Sequence, residues 1–294
     1  MSIRTSVCVA LCAGLLSGCS GGRDSEPPVA EPHVSVSRSR APLGSPVDLA
    51  FRFEVPANAV PMSEDYHVMV HFLDGDEELM WTDDHVPPVP TSQWKPGQTI
   101  EYTRTHFVPV YPYIGTASIR VGLYSPRDGR RLPLRGDEAG QRSYRAASLE
   151  LLPQSDSIFL IYKDGWHPAE VAPENSLVEW QWTKKVGTLA FRNPRRDCVF
   201  YLHADNPGSA FSESQTVQVL LNGQVVDEFT VEPREELVQR VRLPQQGMGT
   251  GETVELQIQV DKTYVPAQLP AADSRDSREL GIRVFHAYVE PAQG

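Results

Sequence analysis

The chain has 294 residues, of which 40% are hydrophobic and 22% charged, and this size and balance suit two globular domains that each bury a core. Its formal net charge of -11 excludes the concentrated basic surface that a phosphate backbone requires, so no nucleic-acid partner is expected. The 25 prolines and 21 glycines point to many turns and sheet edges, and therefore to β-structure.

In chain order, the first element is a targeting segment. Arg4 supplies a positive start, Val7 to Leu16 form a ten-residue apolar run, and small residues follow. A membrane-spanning helix needs about 20 apolar residues, so the run predicts export. Leu16-Ser17-Gly18-Cys19 resembles the lipobox of bacterial lipoproteins. The resemblance implies cleavage after residue 18 and a lipid on the Cys19 thiol; Ser20 after the cysteine implies passage to the outer membrane. A multi-chain lipid anchor at about 0.8 kcal/mol per buried methylene is effectively permanent. Removal of residues 1–18 takes Cys8 and Cys12 with it, leaving Cys19 and Cys198. With no pair for a disulfide, Cys198 in "RRDCVFYLH" reads as a buried small hydrophobe. Residues 19–32, rich in Pro and Gly after the cysteine, read as a flexible tether.

From His33 the dominant period is two. "PVDLAFRFEV" alternates Val47, Leu49, Phe51, Phe53 and Val55 with polar or small residues, the signature of a strand with one buried face. "DYHVMVHFLDG", "TIEYTRTHFV", "GTASIRVGLY" and "RSYRAASLELL" read likewise. His67 and His71 invite a metal reading, but on a strand four residues span about 13 Å, too far for one zinc. His85 with Asp83 or Asp84 is a poorer metal set than an ordinary polar turn. "LDGDEEL" lacks the full calcium loop and reads as a solvated hairpin turn. Arg135 to Asp137 spell an adhesion tripeptide too short to carry weight. A first domain over 33–153 ends at "PQSDS".

The second domain, 154–294, shows strand patterns in "GTLAFRN", "DCVFYLHAD", "TVQVLLNGQVVDEFTV", "ELVQRVRLP", "ETVELQIQVD" and "ELGIRVFHAYVE". Asn222-Gly223 predicts a type I′ hairpin, since both residues tolerate positive φ. "PENSLVEWQW" has helical character but is short enough to be a loop element. Trp166, Trp180 and Trp182 are candidates for stacking on a sugar or for core packing. "DSRDSRELG" concentrates Asp273, Arg275, Asp276, Arg278 and Glu279. Arginines beside these carboxylates keep them ionised, which removes the raised-pKa acid of glycoside hydrolysis. That loop therefore reads either as a salt-bridged strap or as a ligand grip. No nucleophile elbow, P-loop, H-E-x-x-H or dinucleotide fingerprint is present.

Two longer stretches carry a further resemblance. The D-H-x-P-P-x-P-T-x-x-W-x-P-G region over 84–97, with the later "VGLY" and "RLPL", is similar to β-sandwich modules attached to bacterial membrane glycosyltransferases and surface-polysaccharide proteins. "DGWHPAE", Trp182-Thr183, "VLLNGQVVDEF", "VDKTYVPAQ" and "DSRELGIRV" together resemble a galactose-binding-like jelly roll from the same pathways. The resemblance implies an all-β chain of two antiparallel β-sandwich domains, immunoglobulin-like and then jelly-roll. It also implies a non-catalytic, lipid-anchored envelope lipoprotein, facing the periplasm or the cell surface, that binds or positions surface polysaccharide. The alternative is a scaffolding subunit docked on an envelope protein complex. Expected ligand contacts are Trp166, His167, Asp273, Arg275, Asp276 and Arg278, with lipidation at Cys19 and no cofactor or metal.

Overall fold

A computed structural model describes residues 26–173, 175–208, 211–269 and 274–292, and these are mostly strand. Cys19 and Asp273 lie outside the described residues. Among the described residues no helix is long and apolar enough to cross a membrane.

The first strands are β1 (Glu31–Val36), β2 (Arg40–Pro42), β3 (Pro46–Glu54), β4 (His67–Leu73), β5 (Leu79–Thr82), β6 (Thr99–Phe107), β7 (Gly115–Tyr124), β8 (Asp137–Glu138) and β9 (Tyr144–Leu152). They make two sheets, in the orders β1-β3-β6 and β2-β9-β7-β4-β5, with β8 beside β9. The pairings are antiparallel except for β2 with β9. Alternation builds the core as the sequence expects: Val47, Leu49, Phe51 and Phe53 are essentially fully buried, and Ala50 and Arg52 between them are exposed. Val68, Val70 and Phe72 of β4, Ile119, Val121 and Leu123 of β7 and Leu149 and Leu151 of β9 meet them from the other sheet. Each such side chain contributes about 1.5–3 kcal/mol by leaving water.

The remaining strands are β10 (Leu160–Tyr162), β11 (Glu170–Ala172), β12 (Asn175–Trp182), β13 (Val186–Arg192), β14 (Cys198–Asp205), β15 (Gln215–Leu221), β16 (Gln224–Val231), β17 (Glu236–Leu243), β18 (Thr253–Val260) and β19 (Arg283–Pro291), with one short helix, α1 (Gln245–Met248), after β17. Two five-stranded sheets, β10-β13-β18-β15-β16 and β11-β12-β19-β14-β17, stack face to face. Leu189, Phe191, Val217, Val219, Leu256 and Ile258 pack there against Phe200, Leu202, Val241, Val284 and Val289. The chain is thus all-β and built of two sandwiches. The β15–β16 turn at Asn222 and Gly223 has φ of 46° and 80°, the left-handed pair that the dipeptide predicts. Cys198 is fully buried, and burial pushes its thiol up to about 11.

Two expectations change. Residues 26–32, read as tether, belong in part to the body: β1 starts at Glu31, Ala30 is fully buried, and Glu26 pairs with Arg130 and Arg142. The segment "PENSLVEWQW" is strand from Asn175 onward, because β11 pairs along it and β19 takes up Gln181 and Trp182. Tertiary pairing overrides a weak local preference.

Strand β14 is covered on both faces. Its Cys198, Phe200, Leu202 and Ala204 enter the core, while Val199, Tyr201 and His203 point outward, toward the first sandwich, and Asp205 bonds Arg283. There Phe107 packs with Tyr201 and Tyr288. Arg38 donates to both Glu290 oxygens at 2.7 and 2.8 Å, and the Tyr201 hydroxyl donates to the same carboxylate at 2.9 Å. Arg240 reaches Asp48 and, at 2.8 Å, the Thr105 hydroxyl. A mostly buried ion pair is thus shared across the junction between the sandwiches.

Candidate functional site

Beside this junction lies a cleft of about 620 Å³. Edge strands bound it: β5 and β6 end the two sheets of the first sandwich, and β17 ends a sheet of the second. Asn175, Leu177 and Val178 of β12 complete the wall, with Leu177 and Val178 both well exposed.

The wall from the first sandwich carries Trp81, Asp83, Arg104 and His106. Trp81 Nε1–H donates to His106 Nε2 at 3.0 Å, which turns Nδ1 of that ring toward Asp83, 3.6 Å away. Arg104 donates to Asp83 through Nε and Nη2 at 3.3 and 3.2 Å. Burial alone would raise the Asp83 carboxyl, but His106 and Arg104 outweigh it and bring it down to about 2.

The second wall carries His203, Glu236 and His286. His203 and His286 face each other through Nδ1 atoms 3.1 Å apart, and His203 Nε2 lies 3.1 Å from Glu236 Oε2. That hydrogen bond lowers the Glu236 carboxyl. Burial, reinforced by the imidazoles of His203 and His106, drives His286 down to about 3, so its ring is neutral in use. Phe107 stacks on His286 with centroids 4.4 Å apart and rings 8° from parallel, joining the two walls. A bulge makes this arrangement. Across from β14, the register of β19 slips between His286 and Val284, which inserts Phe285 as an extra residue against His203, with centroids 4.9 Å apart. Arg283, held to Asp205 through Nε at 2.8 Å, then lies over both Phe285 and Trp180. Among the described residues, no three His, Cys, Asp or Glu side chains converge as metal ligands.

The residues singled out from the sequence lie elsewhere. Trp166 packs against the second core, its indole N–H donating to the Thr188 carbonyl at 2.9 Å. His167 is buried with Nε2 on the Glu279 carbonyl at 2.7 Å. Asp276 and Arg278 form a multidentate pair, and Arg278 also donates to Glu170 at 2.7 Å. These bonds raise the Arg278 guanidinium and lower Asp276. Arg275 is exposed on the same loop. Trp180 and Trp182 share a face, as their spacing expects: Trp182 is buried against Tyr264, and Trp180 lies half-buried beneath Arg283. His67 and His71 are apart in use, His67 edge-on to Tyr124 and His71 3.7 Å from Asp84.

One signal for the cleft was present in the sequence. On β6, Tyr102, Arg104 and His106 stand opposite Phe51, Leu49 and Val47, in the register of inward-facing residues. An inward row that turns from Ile100 to arginine and histidine breaks the strand rule at the sheet edge. The matching wall, from residues 203, 236 and 286, is joined to it only by the fold.

No protein-family model matches the chain, and no curated protein matches it. Solved structures give distant likenesses. One is the 4-O-methyl-α-glucuronidase BtGH115A of family GH115, at 14% identity and a TM-score of 0.33, over 51% of this chain and 19% of that one. A second is the CBM36-1 domain of a multidomain xylanase from the hindgut metagenome of Trinervitermes trinervoides, at 7% identity and a TM-score of 0.28, over 46% of this chain and 98% of that one. The Clostridium perfringens ZmpB M60 catalytic domain with its CBM51 domains aligns with 90% of this chain and 31% of its own at 9% identity and a TM-score of 0.29. The chain thus spans about a fifth of the glucuronidase, and likenesses this remote carry no functional argument.

Proposed function

We propose that the protein is a non-catalytic lipoprotein, anchored to the outer membrane through Cys19, that binds envelope carbohydrate in the cleft between its two sandwiches. The observation that carries this reading is the make-up of the cleft. Planar polar groups from Asp83, Arg104, Asn175 and Glu236 stand among the apolar surfaces of Met80, Pro109, Leu177, Val178 and Val238. Carboxylate, guanidinium and amide groups match the donors and acceptors of sugar hydroxyls, and apolar side chains match the C–H faces of the ring. The same electrostatics speak against hydrolysis. Both carboxylates are held below the ordinary range, whereas glycoside cleavage requires one acid raised above it.

The test is a glycan array of envelope polysaccharides probed with the whole chain, repeated with Arg104→Ala and Asp83→Asn. Binding that falls at least about tenfold in both variants, with the melting transition otherwise intact, supports the reading. Failure to bind any envelope glycan overturns it. So does turnover of a glycan by the purified protein, or a stoichiometric protein partner that survives glycosidase treatment, which would favour docking on an envelope complex. Mass spectrometry of the amino terminus tests the anchor: an unmodified Cys19 removes it.

A further inference from the structure

The groups lining the cleft leave one carboxylate whose bonded partner is an imidazole and not a permanent cation. Three of them carry a full charge whatever the state of the histidines: Asp83, Arg104 and Glu236. The charge of Arg104 is balanced by Asp83 through its two hydrogen bonds, and the Asp83 side chain is only 13% exposed. Glu236 differs. Its side chain is 61% exposed at the edge of β17, and it is hydrogen-bonded to the imidazole of His203. Across space the His203 imidazole acts on it most, followed by the guanidiniums of Arg283 and Arg104, each of which is bonded to another carboxylate, Asp205 and Asp83 respectively. His286 adds no positive charge, since it is buried against Phe107 and His203.

An acidic saccharide entering here would meet two carboxylates and a guanidinium that is already paired. A neutral saccharide would find acceptors. A cationic one would find acceptors and a counter-ion inside a walled space, where field lines are focused and screening is weaker than on an open surface. Resting on the carbohydrate reading above, we propose that the ligand of the cleft is a saccharide bearing a protonated amine, with Glu236 as its counter-ion, and that uronate-type saccharides are rejected. The short spacing of His203 to Glu236 fixes the carboxylate in position, so the amine meets a preset group. Leu177 and Val178 supply the apolar wall on which the ring of the amine-bearing residue rests.

The experiment compares three probes on the whole chain by calorimetry: a glucosamine tetramer, its N-acetylated form, and a galacturonate tetramer. A pH near 7, above the ordinary histidine value of about 6.5, keeps much of the amine protonated, and about 0.15 M salt, with a Debye length near 8 Å, suppresses unspecific attraction to the acidic chain. The free amine is expected to bind at least about tenfold tighter than the N-acetylated form, with galacturonate weakest. Glu236→Gln is expected to erase the preference for the amine. Glu213→Gln, which removes an 85% exposed carboxylate outside the cleft, is expected to keep it. An N-acetylated tetramer that binds as tightly as the amine overturns the proposal and leaves the carbohydrate reading standing. A Glu236→Gln variant that still prefers the amine does the same. If none of the three probes binds and the envelope array is also blank, both fall together.

Discussion

The histidine pair at the cleft makes the fold sensitive to acid. His286 is buried against Phe107 and His203, and its imidazole is pushed from the ordinary 6.5 down to about 3. An unfolded chain takes up this proton near 6.5 and the native chain only near 3. Between those values the unfolded state holds more protons, so stability is full above about 6.5 and declines as pH falls. At 1.36 kcal/mol per pH unit of displacement, the loss at pH 5 is about 2 kcal/mol, or on the order of 5 °C in melting temperature for a chain of this size. Above pH 5 the Asp83 carboxyl adds nothing to the slope, because it is lowered from 3.8 to about 2 and its contribution is lost only below the upper of those values. His71 and His85, also lowered by burial, add losses of the same sign. Substitution isolates the share of one ring. His286→Phe keeps an aromatic ring against Phe107 and removes the titration. Thermal melts of both proteins between pH 7 and pH 5 should show a shallower decline in the variant by about 2 kcal/mol. Parallel slopes would refute the reasoning.

Arg38→Ala leaves the largely buried Glu290 carboxylate without its guanidinium and should cost about 3 kcal/mol in urea denaturation, whereas replacing both partners by methionine should recover much of that loss. Gly165 has φ of 83°, and a Cβ there would lie 1.7 Å from the Val186 carbonyl oxygen, so Gly165→Ala should give insoluble protein or a loss beyond about 3 kcal/mol in chemical denaturation. Trp166→Ala should cost about 3 kcal/mol of stability yet leave ligand affinity in the folded fraction unchanged, because its ring is packed on the second core and Gly187; affinity lost without any change in melting would return Trp166 to the binding surface.

What could be read in advance follows from the range of the physics involved. Alternation on β3 and the Asn222-Gly223 turn are set by neighbours a few residues apart, so the sequence displays them directly. The turn at "LDGDEEL" is similar: the Asp74 carboxylate accepts from the amides of Asp76 and Glu78 at 2.9 Å, closing the hairpin by short-range bonds. Strand β12 was harder, because Leu177, Val178, Trp180 and Trp182 fit either period and only β11 and β19 decide between them. The cleft was hardest, since Phe107 meets His286 across the junction of two bodies whose docking no local pattern encodes. Yet the chain did carry a trace of it. His106 stands opposite Val47 and Arg104 opposite Leu49, two inward positions at which a stable edge strand would place apolar side chains. His203 and Asp205 likewise continue the outward row of β14 beyond Val199 and Tyr201, which the first sandwich covers. Polar residues at positions that the fold shields from water carry a desolvation cost unless they are bonded, and here each is bonded to a residue distant in sequence. A strand that departs from its own alternation at its end, with polar side chains bonded to residues distant in sequence, therefore marks a place where the fold, and not the local pattern, decides what covers it.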